Sequence, residues 1–370
     1  MIAALILAHA FLAPRQDGTF WKKTLLNMPP KSSTALMYQG PVDPIEPPKL
    51  SPKKFGVDKI AWEFPWMVEG FSQTSEQGFQ KCFRVFSQDN RGDKVSQVSQ
   101  MLLRLWDFNY KNLRLVHSPK YNGGLVEVYL CFGGKAGGEQ LFGVDTGMNL
   151  TTHRPVDVQV NTIYIYDMPS FTDPVEMARE VAHEYGHATL PPIGGYKAPE
   201  DWADGYLGEK LYLKWARDGL ANGTLVSPDV MGVTTEALDR WVSTNVDPLI
   251  EKALITKPTP ELLSDSSAEG MNSFIGLALS IDQVLGHAVF ARSIKMNGSY
   301  DAKDYLAAAV LAVEEPDNIV LNIPKNLIGK YIWIPLGTGK LKGTTWNKHD
   351  PSGWVQILAK SGEISISNLH

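Results

Sequence analysis

The chain has 370 residues, of which 44% are hydrophobic and 20% are charged, so it can bury a sizeable core in one large domain or in roughly two or three domains. Its 35 basic and 40 acidic residues give a net charge of −5, and no basic run is present, which argues against nucleic acid as a partner. No stretch beyond the N-terminus reaches 18 apolar residues, so we expect a soluble product without a stable membrane span.

The N-terminus has the pattern of an export signal. Residues 1–13 are apolar for about a dozen positions, too few for a membrane span, and Ala8-His9-Ala10 fits an A-x-A cleavage site. We predict a signal peptide over residues 1–13 and a secreted or periplasmic protein. Because no Lys or Arg precedes the apolar run, a miscalled start or a buried N-terminal strand is the alternative. Residues 14–70 are rich in proline and are predicted to form an extended arm or a pro-like region.

Residues 80–170 alternate between strand and helix patterns. Apolar residues recur at helical spacing over residues 94–106, and predicted strands flank this helix, which indicates a crossover unit in a mixed sheet. Cys82 and Cys131 lie in two of these strands, where a disulfide bond and two buried thiols are equally expected. The glycine-rich residues 133–138 lack the G-K-[ST] ending of a phosphate-binding loop and are predicted to form a turn.

Residues 183–187 read His-Glu-Tyr-Gly-His, which is the H-E-x-x-H motif. The motif lies in a predicted helix. Asp173 is a suitable N-cap, Pro174 suits the first helical position, and Glu176 stands three residues after the cap. The helix should end near Leu190, because two prolines follow it.

The spacing of the motif points to metal chemistry. Residues four apart in a helix lie about 40° apart on one face, so His183 and His187 can direct two imidazoles at one ion. Glu184 is offset by about 100° and can reach a water beside that ion. We predict a Zn²⁺ site with these histidines as ligands and Glu184 as general base, rather than two unrelated histidines. Gly186 weakens the helix by about 1 kcal/mol relative to alanine. Because glycine is unfavourable here, its presence between the two histidines indicates that another segment of the chain packs closely against this position.

Five histidines outside the motif are interpreted as solvated or hydrogen-bonded: His117, His153, His287, His349 and His370.

A catalytic zinc usually has a third protein ligand. The metzincin continuation is absent, because residue 193 is isoleucine and no histidine follows before His287. An acid on the next helix, predicted to begin at Pro199, is the alternative. Here the chain resembles the gluzincin branch of the zincin metallopeptidases, of which thermolysin is a member. These carry H-E-x-x-H on one helix and a glutamate on a following helix, often four residues after a glycine. Residues 205–209 read Gly-Tyr-Leu-Gly-Glu, so the resemblance implies Glu209 as the third zinc ligand, 22 residues after His187.

Asp204 is the alternative third ligand. Residues 202–205 read Trp-Ala-Asp-Gly and resemble the Trp-x-x-Glu-Gly sequence of other gluzincins, with the acid one position early. Asp204 would otherwise accept a hydrogen bond from a ligand histidine and fix its tautomer. Gly205 and Gly208 would let this helix approach the motif helix closely.

The predicted fold class is α+β. Residues 71–215 are expected to form a zincin-like catalytic subdomain with a mixed sheet and an active-site helix. Residues 216–315 are predicted to be helical, with a long apolar pattern over residues 271–294, and the resemblance implies that they form the second wall of a cleft. Residues 316–370 are predicted to form a small β-rich module, since strand patterns alternate there with glycine turns.

The resemblance implies a zinc-dependent metallopeptidase that hydrolyses a peptide or protein substrate. Glu184 would take a proton from water and pass it to the leaving amine. In zincins the edge strand near the zinc binds substrate as an added strand, so residues 161–167 or a neighbouring strand would do so, unless that segment is internal. Four tyrosines are candidates for stabilising the oxyanion: Tyr185, Tyr196, Tyr206 and Tyr212. The alternatives are a catalytically inactive zincin-fold binding or structural protein and a zinc amidase on a non-peptide substrate. Oligomeric state is not predicted.

Overall fold

The computed structural model describes residues 35–41, 66–74, 78–88, 93–149 and 154–368 of the chain. The predicted signal peptide over residues 1–13 and most of the predicted arm over residues 14–70 lie outside these described residues. Within the range of the arm, the structure describes a strand at residues 35–41 that the proline pattern did not predict.

A six-stranded mixed sheet organises the first part of the described chain. Its strands are β1 (Ala35–Pro41), β2 (Trp66–Thr74), β3 (Gly78–Ser87), β4 (Val126–Leu130), β5 (Gly137–Asn149) and β6 (Arg154–Tyr166). They lie in the order β1-β2-β3-β4-β6-β5. The central strands β3, β4 and β6 run parallel, and the outer pairs are antiparallel. Strand β6, which holds most of residues 161–167, is therefore internal, and its neighbour β5 forms the edge.

The first helix of the described residues, α1 (Asp93–Phe108), is the crossover that the sequence predicts. It connects the parallel strands β3 and β4, which a short hairpin cannot join because parallel strands start at the same end of the sheet. Its residues at helical spacing are all buried, namely Val95, Val98, Met101, Leu102 and Leu105.

The motif helix, α2 (Pro174–Thr189), begins and ends where the sequence predicts. The Asp173 carboxylate accepts a hydrogen bond of 2.9 Å from the Val175 backbone N–H and caps the first turn. At the other end, Leu190 already has extended backbone angles, and prolines follow it.

The next helix, α3 (Asp204–Asn222), begins later than the predicted start at Pro199. Residues 191–203 instead form an irregular loop. Gly194 makes β-bridges to Trp202 and Asp301, so Trp202, just before α3, is held in an extended conformation and does not extend the helix towards Pro199.

Six further helices follow within residues 216–315, as predicted. They are α4 (Thr235–Asn245), α5 (Asp247–Ile255), α6 (Pro260–Leu263), α7 (Ala268–Leu285), α8 (His287–Met296) and α9 (Tyr305–Glu314). The apolar pattern over residues 271–294 covers two helices, because Gly286 has a φ of 86° and separates α7 from α8. Among the described residues, no helix combines the length and the hydropathy needed to cross a membrane.

Two small antiparallel sheets form the C-terminal region. Their strands are β7 (Asn318–Val320), β8 (Tyr331–Pro335), β9 (Lys340–Lys342), β10 (Trp346–Asp350), β11 (Trp354–Leu358) and β12 (Ser365–Ser367). One sheet has the order β10-β11-β8 and the other β7-β12-β9. The molecule is thus an α+β protein with a β-rich C-terminal region, as predicted. The zincin-like character of the first part stays a prediction.

Cys82 and Cys131 are both buried, and neither forms a disulfide bond. Cys82 belongs to the main hydrophobic core, whereas Cys131 lies in a separate aromatic cluster with Tyr129, Tyr164 and Tyr166. Burial raises the pKa of the Cys131 thiol to about 12, so it is protonated at neutral pH and is not a nucleophile.

Candidate metal centre

The two motif histidines converge on a carboxylate that the sequence did not single out. The Nε2 atoms of His183 and His187 lie 3.3 Å and 3.5 Å from the same oxygen, Glu200 Oε2. One ligand atom from each of the three residues falls within 4.8 Å of the others, and among the described residues no other set of His, Cys, Asp and Glu is grouped in this way. The arrangement offers two imidazole nitrogens and one carboxylate oxygen to a single ion.

Glu200 reaches the histidines because it lies in the loop before α3. The sequence placed it in the first turn of a helix, where an acid has an ordinary role beside the helix dipole. The backbone N–H of Ala203 donates to the Ile193 carbonyl at 2.8 Å, which folds the loop back along the end of α2. The segment is acidic in sequence, because it contains Glu200, Asp201 and Asp204. No spacing rule selects Glu200 from these three residues as a metal ligand.

Glu209 and Asp204 lie on the other side of the imidazoles. Glu209 Oε2 is 3.5 Å from His183 Nδ1, and Asp204 Oδ1 is 3.1 Å from His187 Nδ1. Neither carboxylate belongs to the group formed around the two Nε2 atoms. Their positions suit hydrogen-bond acceptors that fix the ring orientation, which is the second role the sequence allowed for Asp204.

Basic side chains hold Glu209 in this position. Arg179 Nε lies 3.4 Å and Lys210 Nζ 3.6 Å from Glu209 Oε1, and the glutamate side chain is buried. Burial alone would raise the pKa of Glu209, but His183, Lys210 and Arg179 lower it below the ordinary value. Glu209 therefore stays ionised as a partner for the His183 ring.

Three carboxylates determine the charge of the two imidazoles. Burial opposes a charged imidazole, but hydrogen bonds with Glu200 and Glu209 raise the pKa of His183 to about 10. In His187, burial is likewise outweighed by Asp204 and Glu200, and the pKa is about 9. Burial also opposes ionisation of Glu200, yet the two imidazoles lower its pKa to about 2. The carboxylates thus favour positive charge at both rings.

Glu184 lies beside the ligand group and is almost completely buried. Burial, opposed by positive charge on His183 and His187, raises its pKa to about 7. Its Oε2 atom is buried without a hydrogen-bond partner. A glycine in strand β5 makes room for it, since a Cβ atom on Gly138 would lie 2.5 Å from Glu184 Cγ and 2.7 Å from Oε1.

The candidate tyrosines separate clearly by position. Tyr206 contacts the centre directly, because its ring meets the His183 ring edge-on with centroids 4.7 Å apart. The Tyr185 hydroxyl is buried against His117 Nε2 at 2.9 Å, and the Tyr212 hydroxyl lies 3.1 Å from Thr189 Oγ1. Tyr196 lies in the loop before α3, and its buried hydroxyl has no hydrogen-bond partner.

The residues present fit a zinc ion. Two imidazoles and one carboxylate are a usual ligand set for catalytic zinc, which keeps one position open. The space beside the Nε2 atoms is kept clear by Gly205, where a Cβ atom would lie only 2.6 Å from His183 Nε2 and still closer to His187 Nε2. Glu200 Oε1 is also buried without a hydrogen-bond partner, so the carboxylate has unused capacity to bind an ion.

No family model, curated protein or solved structure shows significant similarity to this chain. The interpretation of the centre therefore depends on its own geometry and chemistry.

Proposed function

We propose that this chain is a zinc-dependent peptidase in which His183, His187 and Glu200 hold the ion. The observation that carries the proposal is the convergence of two imidazole Nε2 atoms on one carboxylate oxygen, beside the buried Glu184. Zinc bound there supplies Lewis acidity, which lowers the pKa of water and polarises a carbonyl group. In this proposal Glu200 takes the place that the resemblance gave to Glu209, and Glu209 and Asp204 orient the rings.

Glu184 acts as the general base. Its Oε2 atom has no hydrogen-bond partner and can accept one from a water molecule, and burial of the carboxyl group favours uptake of the proton. Glu184 accepts the proton of the attacking water and then delivers it to the leaving amine.

The edge strand β5 supports a peptide as substrate. Its outer backbone edge is not paired by any strand in the described ranges, and its residue Gly138 lies against Glu184. An extended peptide that adds to this edge gains backbone hydrogen bonds and brings its own backbone beside the general base. A non-peptide amide would make no use of this edge.

The proposal is tested with the purified protein and a peptide library. We expect about one zinc ion per chain by elemental analysis, hydrolysis of some peptides, and loss of hydrolysis in the presence of a chelator with recovery on adding zinc. Glu184→Gln is expected to retain zinc and to lower kcat by at least about a hundredfold, because it cannot take up the proton.

The outcomes separate the alternatives. Protein that binds no zinc, even when zinc is supplied, contradicts the proposal. Zinc binding without hydrolysis of any peptide favours a binding or structural protein, and hydrolysis of simple amides but not of peptides favours an amidase. Full activity in Glu184→Gln shows that the base is another residue.

A further inference from the structure

Strand β5 presents an exposed apolar surface on the same side as the candidate metal centre. Phe142 and Val144 are each 48% exposed, although both are large apolar side chains in the middle of a strand. The Phe142 ring stacks on Tyr121, with centroids 4.5 Å apart and an interplanar angle of 28°. We call Tyr121, Phe142 and Val144 the apolar strip.

The side of the strand follows from its regular register. Strand β5 pairs with β6 from Gly137 to Asn149 without a shift, so alternate residues face the same side throughout. The side chain of Gln140 bonds to Asn161 at 2.8 Å, and Asn161 bonds to the Ala188 carbonyl at the end of α2. Residues 138, 140, 142 and 144 therefore lie on the face of the sheet against which α2 packs, with Phe142 and Val144 exposed there.

Phe142 and Val144 of the strip lie on the same strand as the glycine that contacts the proposed base. Gly138 lies against Glu184, and Phe142 stands four residues further on, which is about 13 Å along a strand. A peptide added to the free edge places its side chains in the same alternation, and directly opposite residues in neighbouring strands pack against each other. A substrate residue that faces Phe142 is thus about four positions from the one that faces Gly138.

We propose that the apolar strip binds an apolar side chain of an extended peptide substrate, remote from the bond that is cut. The inference depends on the proposed peptidase function and names its substrate class: unfolded or extended chains long enough to reach from Gly138 to Val144, with an apolar residue at the remote position. Lys120 Nζ lies 5.3 Å from the centroid of the Tyr121 ring. Phe142 and Val144 favour an apolar partner, because their exposed apolar surface would be removed from water on binding.

The test uses fluorogenic peptides that share one cleaved core sequence and carry a single Leu or Ser at each flanking position in turn. In the wild-type protein, Leu at about four to six residues on one side of the cleaved bond is expected to raise kcat/KM about tenfold over Ser, equivalent to about 1.4 kcal/mol. In Phe142→Ser this preference is expected to disappear. Binding of the same peptides to Glu184→Gln, followed by fluorescence anisotropy, is expected to show the same preference in Kd.

Tyr331→Ser is the matched control, because Tyr331 is also an aromatic residue on an edge strand and is 47% exposed, but in the C-terminal region. It is expected to keep the wild-type preference. If peptides are cleaved but Leu has no effect at any remote position, or if Phe142→Ser keeps the preference, the strip is not a substrate site while the peptidase proposal stands. If no peptide is cleaved and no zinc is bound, both proposals fail.

Discussion

Gly186 and Gly208 face each other where helices α2 and α3 cross, and a Cβ atom on Gly208 would lie 2.5 Å from the Gly186 Cα atom. Gly186 stands between the candidate base and the second histidine, so the contact lies inside the motif itself. A Cβ atom on Gly186 would in turn lie 2.5 Å from the Asp204 carbonyl oxygen. The close approach brings the start of α3 to the imidazole rings, which is how Asp204 reaches His187.

Alanine at either glycine is expected to push the helices apart. The added methyl group meets backbone atoms that cannot rotate away, so we expect Gly186→Ala and Gly208→Ala each to lower the free energy of unfolding by about 1–3 kcal/mol, despite the higher helix propensity of alanine. Urea unfolding measures the change. Gly298→Ala is the control, because nothing lies within 4 Å of that position. Wild-type stability in both helix variants would show that the crossing tolerates the methyl groups.

The third ligand can be identified by zinc affinity. Glu200→Gln is expected to weaken zinc binding more than about a hundredfold, whereas Glu209→Gln and Asp204→Asn, which disturb only the ring orientation, are expected to cost about 10- to 100-fold. Competition with a fluorescent chelator measures the affinities. Asp201→Asn, next to Glu200 and exposed, is the control and is expected to bind zinc normally. A larger loss of zinc affinity in Glu209→Gln than in Glu200→Gln would show that Glu209, and not Glu200, is the third ligand.

Tyr206 is expected to stabilise the oxyanion. It is the candidate tyrosine whose ring contacts His183, a proposed zinc ligand, and it is half-buried rather than enclosed. Removing one donor of this kind costs about 100- to 1,000-fold in kcat, so Tyr206→Phe should lose that much while its zinc content and KM change little. Tyr212→Phe is the comparison, because the Tyr212 hydroxyl is buried against Thr189. Equal kcat in Tyr206→Phe and the wild type would exclude the role.

His117 is expected to make the protein sensitive to acid. Burial lowers its pKa from 6.5 to about 4, despite hydrogen bonds to the Gly124 and Cys82 backbone. Because the pKa of His117 is lower in the folded state than in the unfolded state, the neutral ring contributes to stability. This contribution is complete above pH 6.5 and is lost as the pH falls towards 4. The loss between pH 7 and pH 4.5 amounts to about 2 kcal/mol.

The measurement compares urea unfolding of zinc-free wild type and His117→Gln at the two pH values. The stability advantage of the wild type over the variant is expected to shrink by about 2 kcal/mol at the lower pH. Contributions from Glu184, His183 and His187 are present in both proteins and cancel. A constant difference for His117→Gln would mean that the fold leaves the pKa of this ring unchanged.

Several elements could be predicted because their signals are local. Asp173 and Pro174 fix the start of α2 through a cap and a preset backbone angle, and the apolar spacing of residues 94–106 is enough to define α1. The start of α3 at Asp204 could not be predicted, because Gly194 bridges both Trp202, just before the helix, and Asp301, which is distant along the chain.

By itself, the sequence determined the α+β class, the helix that carries His183, Glu184 and His187, and the need for small residues at Gly186 and Gly208. These follow from periodicity, capping and side-chain size, which act over a few residues. The tertiary structure decided which acid meets the imidazoles: Glu200 at their Nε2 atoms, with Glu209 and Asp204 at the Nδ1 atoms. That choice depends on how a loop folds back across a helix crossing, and no spacing along the chain encodes it.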